Sequence, residues 1–294
     1  MTGPANYIGR FAPSPTGDLH FGSLITAVAS FLQARSNSGK WLIRIEDIDP
    51  PREIPGSADR ILQDLKFLGM VPDEPVLYQS TQIKPHRLAL DSLLEKNNAY
   101  ACNCSRKALA DSRVYPGICR QKSADLGLPH SFRVKTSDKD IQFTDRLQGP
   151  TSENLSLDRG DFVVWRADAL PAYQLAVVVD DAMQEITEVV RGADLLGSTC
   201  RQIHLQALLE LPTPRYIHLP VATKGNVKLG KRYSSDPIIQ EDPVQSLSDA
   251  LDFLGHKPPA GMKLEGIWNW AIEHWSIDNI PSVEEIPIDD VSGR

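Results

Sequence analysis

Apolar positions along this chain follow two rhythms, a period near 3.6 and a period of two, and the rhythms alternate. Tyr7–Ala12 reads as a strand that runs into the turn-forming stretch Pro13-Ser14-Pro15-Thr16-Gly17. Leu24, Ile25, Val28, Phe31 and Leu32 then recur at helical spacing, and the helix is expected to stop within Ser36–Gly39. In Trp41–Asp47 the apolar Trp41, Ile43 and Ile45 alternate with Leu42, Arg44 and Glu46, so a strand is expected with Arg44 and Glu46 on one face. Ser57–Leu68 reads as a helix, Val76–Gln79 as a short strand and Leu88–Lys96 as part of a further helix. This strand–helix alternation predicts an α/β fold with a parallel sheet and crossover helices.

The rhythm breaks between Ala99 and about Arg159, where polar residues, turn formers and cysteines dominate. Short strands at Ser131–Val134 and Ile141–Asp145 are expected there, inside an insertion into the α/β domain. It resumes with a strand at Phe162–Trp165 and a helix at Pro171–Val179, Pro171 taking a permitted first-turn position. A strand at Ile186–Arg191 and a helix at Ser198–Leu209 follow. Beyond about Val221 come a basic loop and two helices, Val244–Leu254 and Ile267–Trp275. The expected division is residues 1–98 and 161–225 as two halves of one α/β domain, 99–160 as the inserted subdomain, and 226–294 as the loop and a small helical region.

Composition adds limits. The 294 residues are 41% apolar and 23% charged, ordinary for a globular chain with ample core. A net charge of −7 argues against broad, non-specific nucleic-acid binding but leaves room for an RNA end gripped by a local basic surface. The longest apolar runs, such as Leu175–Val179, are far too short to cross a bilayer, and the first residues show no basic region leading into an apolar stretch. A cytoplasmic protein is expected. In a reducing cytosol the close group Cys102, Cys104 and Cys119 suggests a metal site rather than disulfides, while Cys200, alone in a helix, reads as core. Three thiolates are one ligand short of a four-coordinate structural zinc, and by spacing alone His130 or a water completes the set.

The segment Arg10–Ser23 carries the densest chemistry. A strand ends, a stiff proline turn follows, and a helix begins with His20 in its first turn. Helix N-termini attract anions, and an imidazole there can donate to a phosphate oxygen. Gly22 lets a flat purine approach the backbone, and Arg10 leaves a strand end, where α/β sheets bind ligands.

The string Arg10-Phe11-Ala12-Pro13-Ser14-Pro15-Thr16-Gly17, followed by Leu19-His20-Phe21-Gly22-Ser23, resembles the signature of the class I glutamyl- and glutaminyl-tRNA synthetases. Arg44-Ile45-Glu46-Asp47 is similar to the family's second strand, Trp165–Leu175 to the start of its second Rossmann half, and Arg191-Gly192-Ala193-Asp194-Leu195 to its Arg-Gly-x-Asp-Leu element. The resemblance runs from Tyr7 to about Asp236 and implies a Rossmann-like catalytic core. It implies ATP binding by Pro13, Thr16, Gly17, His20, Gly22 and Ser23, the last standing where the His-x-Gly-His-like element ends. Glutamate binding is implied for Arg10, Ala12, Ser14, Glu46, Tyr173 and Arg191: a carboxylate such as Glu46 accepts from the substrate ammonium, and a guanidinium pairs with its carboxylates. Lys228-Leu229-Gly230-Lys231-Arg232 stands in for the Lys-Met-Ser-Lys-Ser-like loop, with Gly230 where serine is usual. Its lysines, Lys228 and Lys231, with His20, would stabilise charge on the phosphates, and magnesium would arrive with the nucleotide.

Two features point within the family. Cys102-x-Cys104 followed by Tyr115-x-x-x-Cys119 is similar to the pattern of short paralogues in which the tyrosine oxygen is the fourth zinc ligand. The residues beyond Asp236 are too few for the helical domain with which full-length relatives read the anticodon. The resemblance therefore implies an enzyme that activates L-glutamate without tRNA and transfers it to queuosine at the wobble position of tRNA(Asp), as a monomer. The alternatives are a truncated synthetase charging a 3′ end and a non-catalytic RNA-binding paralogue.

Overall fold

The computed structural model describes residues 7–105, 107–109, 112–224, 227–228 and 242–288, with 224, 227 and 228 described by their backbone. Strand β1 (Ile8–Phe11) is followed by α1 (Phe21–Ser36), β2 (Lys40–Ile45), α2 (Ser57–Phe67), β3 (Leu77–Tyr78) and α3 (Ile83–Glu95). β1, β2 and β3 form a parallel sheet, with Ile8 opposite Lys40 and Arg44 opposite Leu77. The expected α/β alternation is present, with α1 and α2 each crossing back to the next parallel strand.

The chain then enters a run of antiparallel strands. β4 (Ala99–Cys102), a single-turn helix α4 (Ile118–Gln121) and β5 (Ser131–Val134) lead into a hairpin of β6 (Asp140–Asp145) and β7 (Gly149–Asn154). A second short helix, α5 (Leu155–Asp158), precedes β8 (Phe162–Trp165). β8 lies where the parallel rhythm was expected to resume, yet it pairs antiparallel with β5, in one sheet with β4. Its apolar run buries equally well on either sheet, so the run does not choose the partner. The parallel order returns one strand later, after α6 (Tyr173–Met183), with β9 (Glu188–Gly192), α7 (Thr199–Leu209) and β10 (Arg215–Leu219). Pro171 lies outside α6 and instead bridges to Trp165, so Tyr173 is the first residue of the helix.

The two halves join side by side. The Thr187 N–H donates to the Ile8 carbonyl at 2.9 Å, and the Ile8 N–H donates to Thr187 Oγ1 at 3.0 Å. Read across this seam, the strand order is β3-β2-β1-β9-β10, which reverses direction between β1 and β9. Such a reversal opens a crevice at the carboxyl ends of the two strands. Arg10 lies near the end of β1 and Arg191 near the end of β9.

α1 is apolar nearly all round, with Leu24, Ile25, Ala27, Val28, Ala29, Phe31 and Leu32 all buried, so it has to be covered on both sides. The sheet covers one side and the helices Pro243–Phe253 and Leu264–His274 cover the other, within one core. The Phe31 ring meets the Trp41 and Trp268 rings edge-on, with centroids at 5.2 and 4.9 Å. Cys200 is buried on α7, as expected. Past β10, β11 (Val221–Lys224) pairs antiparallel with β12 (Val227–Lys228), and the late strand β13 (Glu285–Pro287) pairs in parallel with β11.

Candidate active site

The turn after β1 is held from several sides. The Glu46 N–H donates to the Pro13 carbonyl at 3.0 Å and the Ile54 N–H to the Pro15 carbonyl at 2.9 Å. Ser57, the first residue of α2, donates its hydroxyl to the Gly17 carbonyl at 2.6 Å and accepts from the Gly17 N–H at 3.2 Å. Prolines supply few donors, so the turn depends on these neighbours to satisfy its carbonyls.

His20 is the N-cap of α1 rather than part of its first turn. Its Nδ1 accepts from the Ser23 N–H at 3.3 Å, and Ser23 Oγ accepts from the His20 N–H at 3.0 Å, a reciprocal capping box. An acceptor Nδ1 puts the imidazole proton on Nε2. Ser23 thus serves the site by fixing the tautomer of His20, a role its place in the signature does not announce.

A cavity of about 530 Å³ opens above this cap at the strand reversal. Its wall brings together Arg10, Ala12, Pro13, Ser14, Thr16, Gly17, His20, Gly22, Ser23, Glu46, Tyr173 and Arg191. Of the residues singled out from the sequence for ATP and glutamate, only the two loop lysines are not placed there. Lys231 and Gly230 lie outside the described residues, as does the side chain of Lys228.

The polar end of the cavity rests on buried charges. Arg10 Nε is 3.2 Å and Arg44 Nη1 is 2.7 Å from Asp181 Oδ1, and Arg44 Nη2 is 3.4 Å from Glu46 Oε1. Burial pushes the Asp181 carboxyl up, but the Arg10 and Arg44 guanidiniums outweigh it and hold it below the usual carboxylate range. Burial likewise raises Glu46, and here Arg44 and Arg10 offset only part of the rise. An ammonium group beside Glu46 would supply the missing stabilisation of its charged form. Burial also raises the Tyr173 hydroxyl, which keeps it a neutral donor.

Arg191 is held differently. Its Nε donates to His218 Nε2 at 3.0 Å and its Nη2 to Thr199 Oγ1 at 2.9 Å, while Nη1 is buried with no hydrogen-bond partner. Asp181, His218 and Thr199 escaped the sequence reading. Asp181 had a signal, being part of a pair of acids in the otherwise apolar stretch Leu175–Met183.

The cysteine group lies apart, at the end of β4. Cys104 Sγ is 3.5 Å from Cys119 Sγ, and Tyr115 Oη is 3.4 Å from Cys102 Sγ and 3.8 Å from Cys104 Sγ. The three sulfurs lie within 4.8 Å of one another. A tetrahedral zinc with bonds of about 2.3 Å to sulfur puts neighbouring donors roughly 3.5–3.8 Å apart, so the set fits such an ion. His130 is directed elsewhere, its Nδ1 2.9 Å from the Leu128 carbonyl and its ring against Phe132. Burial raises the Cys102 thiol, but hydrogen bonds from Tyr115, the Cys104 N–H and Arg133 outweigh it and bring it down to about 7, whereas burial and the neighbouring sulfurs push Cys104 up to about 11.

Comparison with known proteins agrees with this geometry. Residues 8–254 match the family model of the catalytic domain of class I tRNA synthetases (E and Q). The chain is 47% identical over 286 residues to the glutamyl-Q tRNA(Asp) synthetase of Aromatoleum aromaticum, covering 94% of this chain and 90% of that one. It is 46% identical over 292 residues to the enzyme of the same name from Pseudomonas paraeruginosa, covering 96% and 98%. Among solved structures, the glutamate-tRNA synthetase of Elizabethkingia anophelis superposes with a TM-score of 0.82 at 25% identity, over 97% of this chain and 68% of that one. The chain belongs to the class I glutamyl- and glutaminyl-tRNA synthetase family, in the branch of the glutamyl-Q tRNA(Asp) synthetases.

Proposed function

We propose that this enzyme activates L-glutamate with ATP, without needing tRNA for that step, and then transfers the glutamyl group to queuosine at the wobble position of tRNA(Asp). The observation that carries the proposal is the cavity itself. A tautomer-fixed histidine on a helix N-terminus opens into the same space as two buried arginines and a partly buried glutamate. In the first step the α-carboxylate oxygen of glutamate attacks the α-phosphorus of ATP, and the bond to pyrophosphate breaks. The His20 Nε2–H and the α1 N-terminus stabilise the phosphates, with Lys228 and Lys231 assigned the same task from the loop. Arg10 and Arg191 hold the carboxylates of glutamate, Tyr173 donates to it, and Glu46 accepts from its ammonium. In the second step a ring hydroxyl of queuosine attacks the acyl carbon, and AMP leaves. Magnesium arriving with ATP would supply further neutralisation of phosphate charge. Catalysis rests on positioning and electrostatics, with no covalent enzyme intermediate.

Cys102, Cys104, Tyr115 and Cys119 hold one structural zinc in this reading, which closes the insertion and takes no part in the chemistry. The enzyme acts as a monomer in the cytoplasm. Glutamate-dependent pyrophosphate exchange without tRNA tests the first step. Acylation of queuosine-containing against queuosine-lacking tRNA(Asp) tests the second; equal labelling of the two would turn the reading to an enzyme that charges a 3′ end.

A further inference from the structure

We infer that Asp145 and His218 are positioning residues that aim Arg191 at the substrate carboxylate while leaving its charge unspent. The inference rests on the glutamate-binding role proposed for Arg191. Asp145 ends β6 in the inserted hairpin, His218 sits on β10 and Arg191 on β9. Asp145 Oδ1 accepts from the N–H groups of Leu147 at 3.0 Å, Gln148 at 2.9 Å and His218 at 3.2 Å, which fixes the carboxylate. Its Oδ2 lies 2.6 Å from His218 Nδ1, and His218 Nε2 accepts from Arg191 Nε at 3.0 Å. An Nε2 that accepts from a guanidinium carries no proton, so Nδ1 holds the single ring proton and donates it to Asp145. Burial, followed by the positive charge of Arg191, keeps His218 below the usual histidine range despite Asp145, in line with a neutral ring. Asp145, His218 and Thr199 are all fully or almost fully buried.

The arrangement differs in kind from that of the neighbouring arginines. Arg10 and Arg44 share the Asp181 carboxylate, and part of their charge is spent there. Among the described residues Arg191 has no carboxylate partner. A neutral imidazole stands between it and Asp145, holding Nε in place, while Thr199 holds Nη2. A direct Asp145–Arg191 pair would orient the guanidinium but neutralise it. The interposed ring orients without neutralising, so Arg191, which lines the cavity, keeps its charge for an incoming carboxylate. It also makes the insertion a contributor to the amino-acid site, through Asp145.

Two substitutions of His218 separate this role from a structural one. His218→Gln can offer Oε1 where Nε2 stands and keep the bond from Arg191 while losing the bond to Asp145. His218→Asn can keep a donor near Nδ1 for Asp145 while losing the bond from Arg191. Tm and glutamate-dependent pyrophosphate exchange are measured on both. In His218→Asn the KM for glutamate rises about tenfold or more, with the KM for ATP within about twofold. In His218→Gln the glutamate KM rises too, through the lost Asp145 bond, but less than in His218→Asn. A glutamate KM that is unchanged in His218→Asn, or that rises more in His218→Gln, overturns the inference. If either protein fails to fold, Thr199→Val takes its place, with Thr199→Ser as control. A raised glutamate KM in the valine form alone supports the aiming of Arg191, and wild-type KM in both overturns it. Wild-type enzyme that shows no glutamate-dependent exchange overturns the underlying reading itself, which is a distinct result.

Discussion

Arg44, on β2, reaches the α6 carboxylate of Asp181 with its Nη1 2.7 Å from Oδ1, and the pair is almost wholly buried. Arg10, on β1, shares the same oxygen at 3.2 Å, so one α6 carboxylate ties the first two strands to the second half of the fold. Removing it would strand two buried guanidiniums. Asp181→Asn is therefore expected to cost about 3–5 kcal/mol of stability at neutral pH. The cost depends on pH with a definite sign. The folded carboxyl lies below its ordinary value, so its stabilisation is complete above the unfolded pKa of about 3.9 and fades as the pH falls through the lower folded value. The Tm gap between wild type and Asp181→Asn should narrow from pH 6 towards pH 3. A gap of constant size would assign the loss to packing.

Arg191→Lys keeps the positive charge but removes the planar fork and its bonds to His218 and Thr199. The glutamate kcat/KM should fall by about a hundredfold, the loss expected for two charge-assisted hydrogen bonds, with the KM for ATP nearly unchanged. Steady-state exchange kinetics with each substrate varied in turn checks this. A matching rise in the KM for ATP would place the side chain elsewhere in the reaction.

Gly160 has φ of +71°, and a Cβ there would lie 2.7 Å from the Tyr115 carbonyl oxygen and 2.8 Å from its nitrogen. Gly160→Ala must displace Tyr115 or strain the backbone, at roughly 1–3 kcal/mol. The purified wild type should hold one zinc per chain, by metal analysis. Gly160→Ala and Tyr115→Phe should both release it at lower chelator concentration. Equal retention by Tyr115→Phe would remove the phenol from the ligand set.

Trp268 donates its Nε1–H to the Leu68 carbonyl at 2.8 Å and packs its ring against Phe31 on α1. Trp268→Ala should destabilise the protein by about 3–5 kcal/mol, read from the denaturation midpoint. Exchange activity below the lowered Tm should stay close to wild type, because Trp268 supports α1 from the side away from the cavity. A large loss in kcat at low temperature would show that the C-terminal helices shape the site directly.

Local rhythm and motif spacing carried the sequence a long way. The face shared by Arg44 and Glu46 follows from a period of two, and the arrangement of β1, the proline turn and α1 follows from turn chemistry and a run of buried apolar residues. The residues that support the site were not legible, because they meet it only through pairing between distant strands. Asp145 reads as the polar end of a short strand until His218 is placed opposite it. His218 lies on β10, a strand without period-two alternation that the rhythm does not predict. β8 shows the same limit, since its sequence states that it will be buried but not which sheet will bury it.

The Arg10–Asp181 pair spans 171 residues of chain. At roughly 5–20 residues per second, a ribosome needs about 10–35 s to pass from one to the other. For that interval β1 exists with Arg10 lacking its counter-ion and with one sheet edge open. The early half of this enzyme therefore waits, unfinished, for the late half. Slowing or pausing translation between α3 and α6 should lower the soluble yield without altering the molecules that succeed in folding.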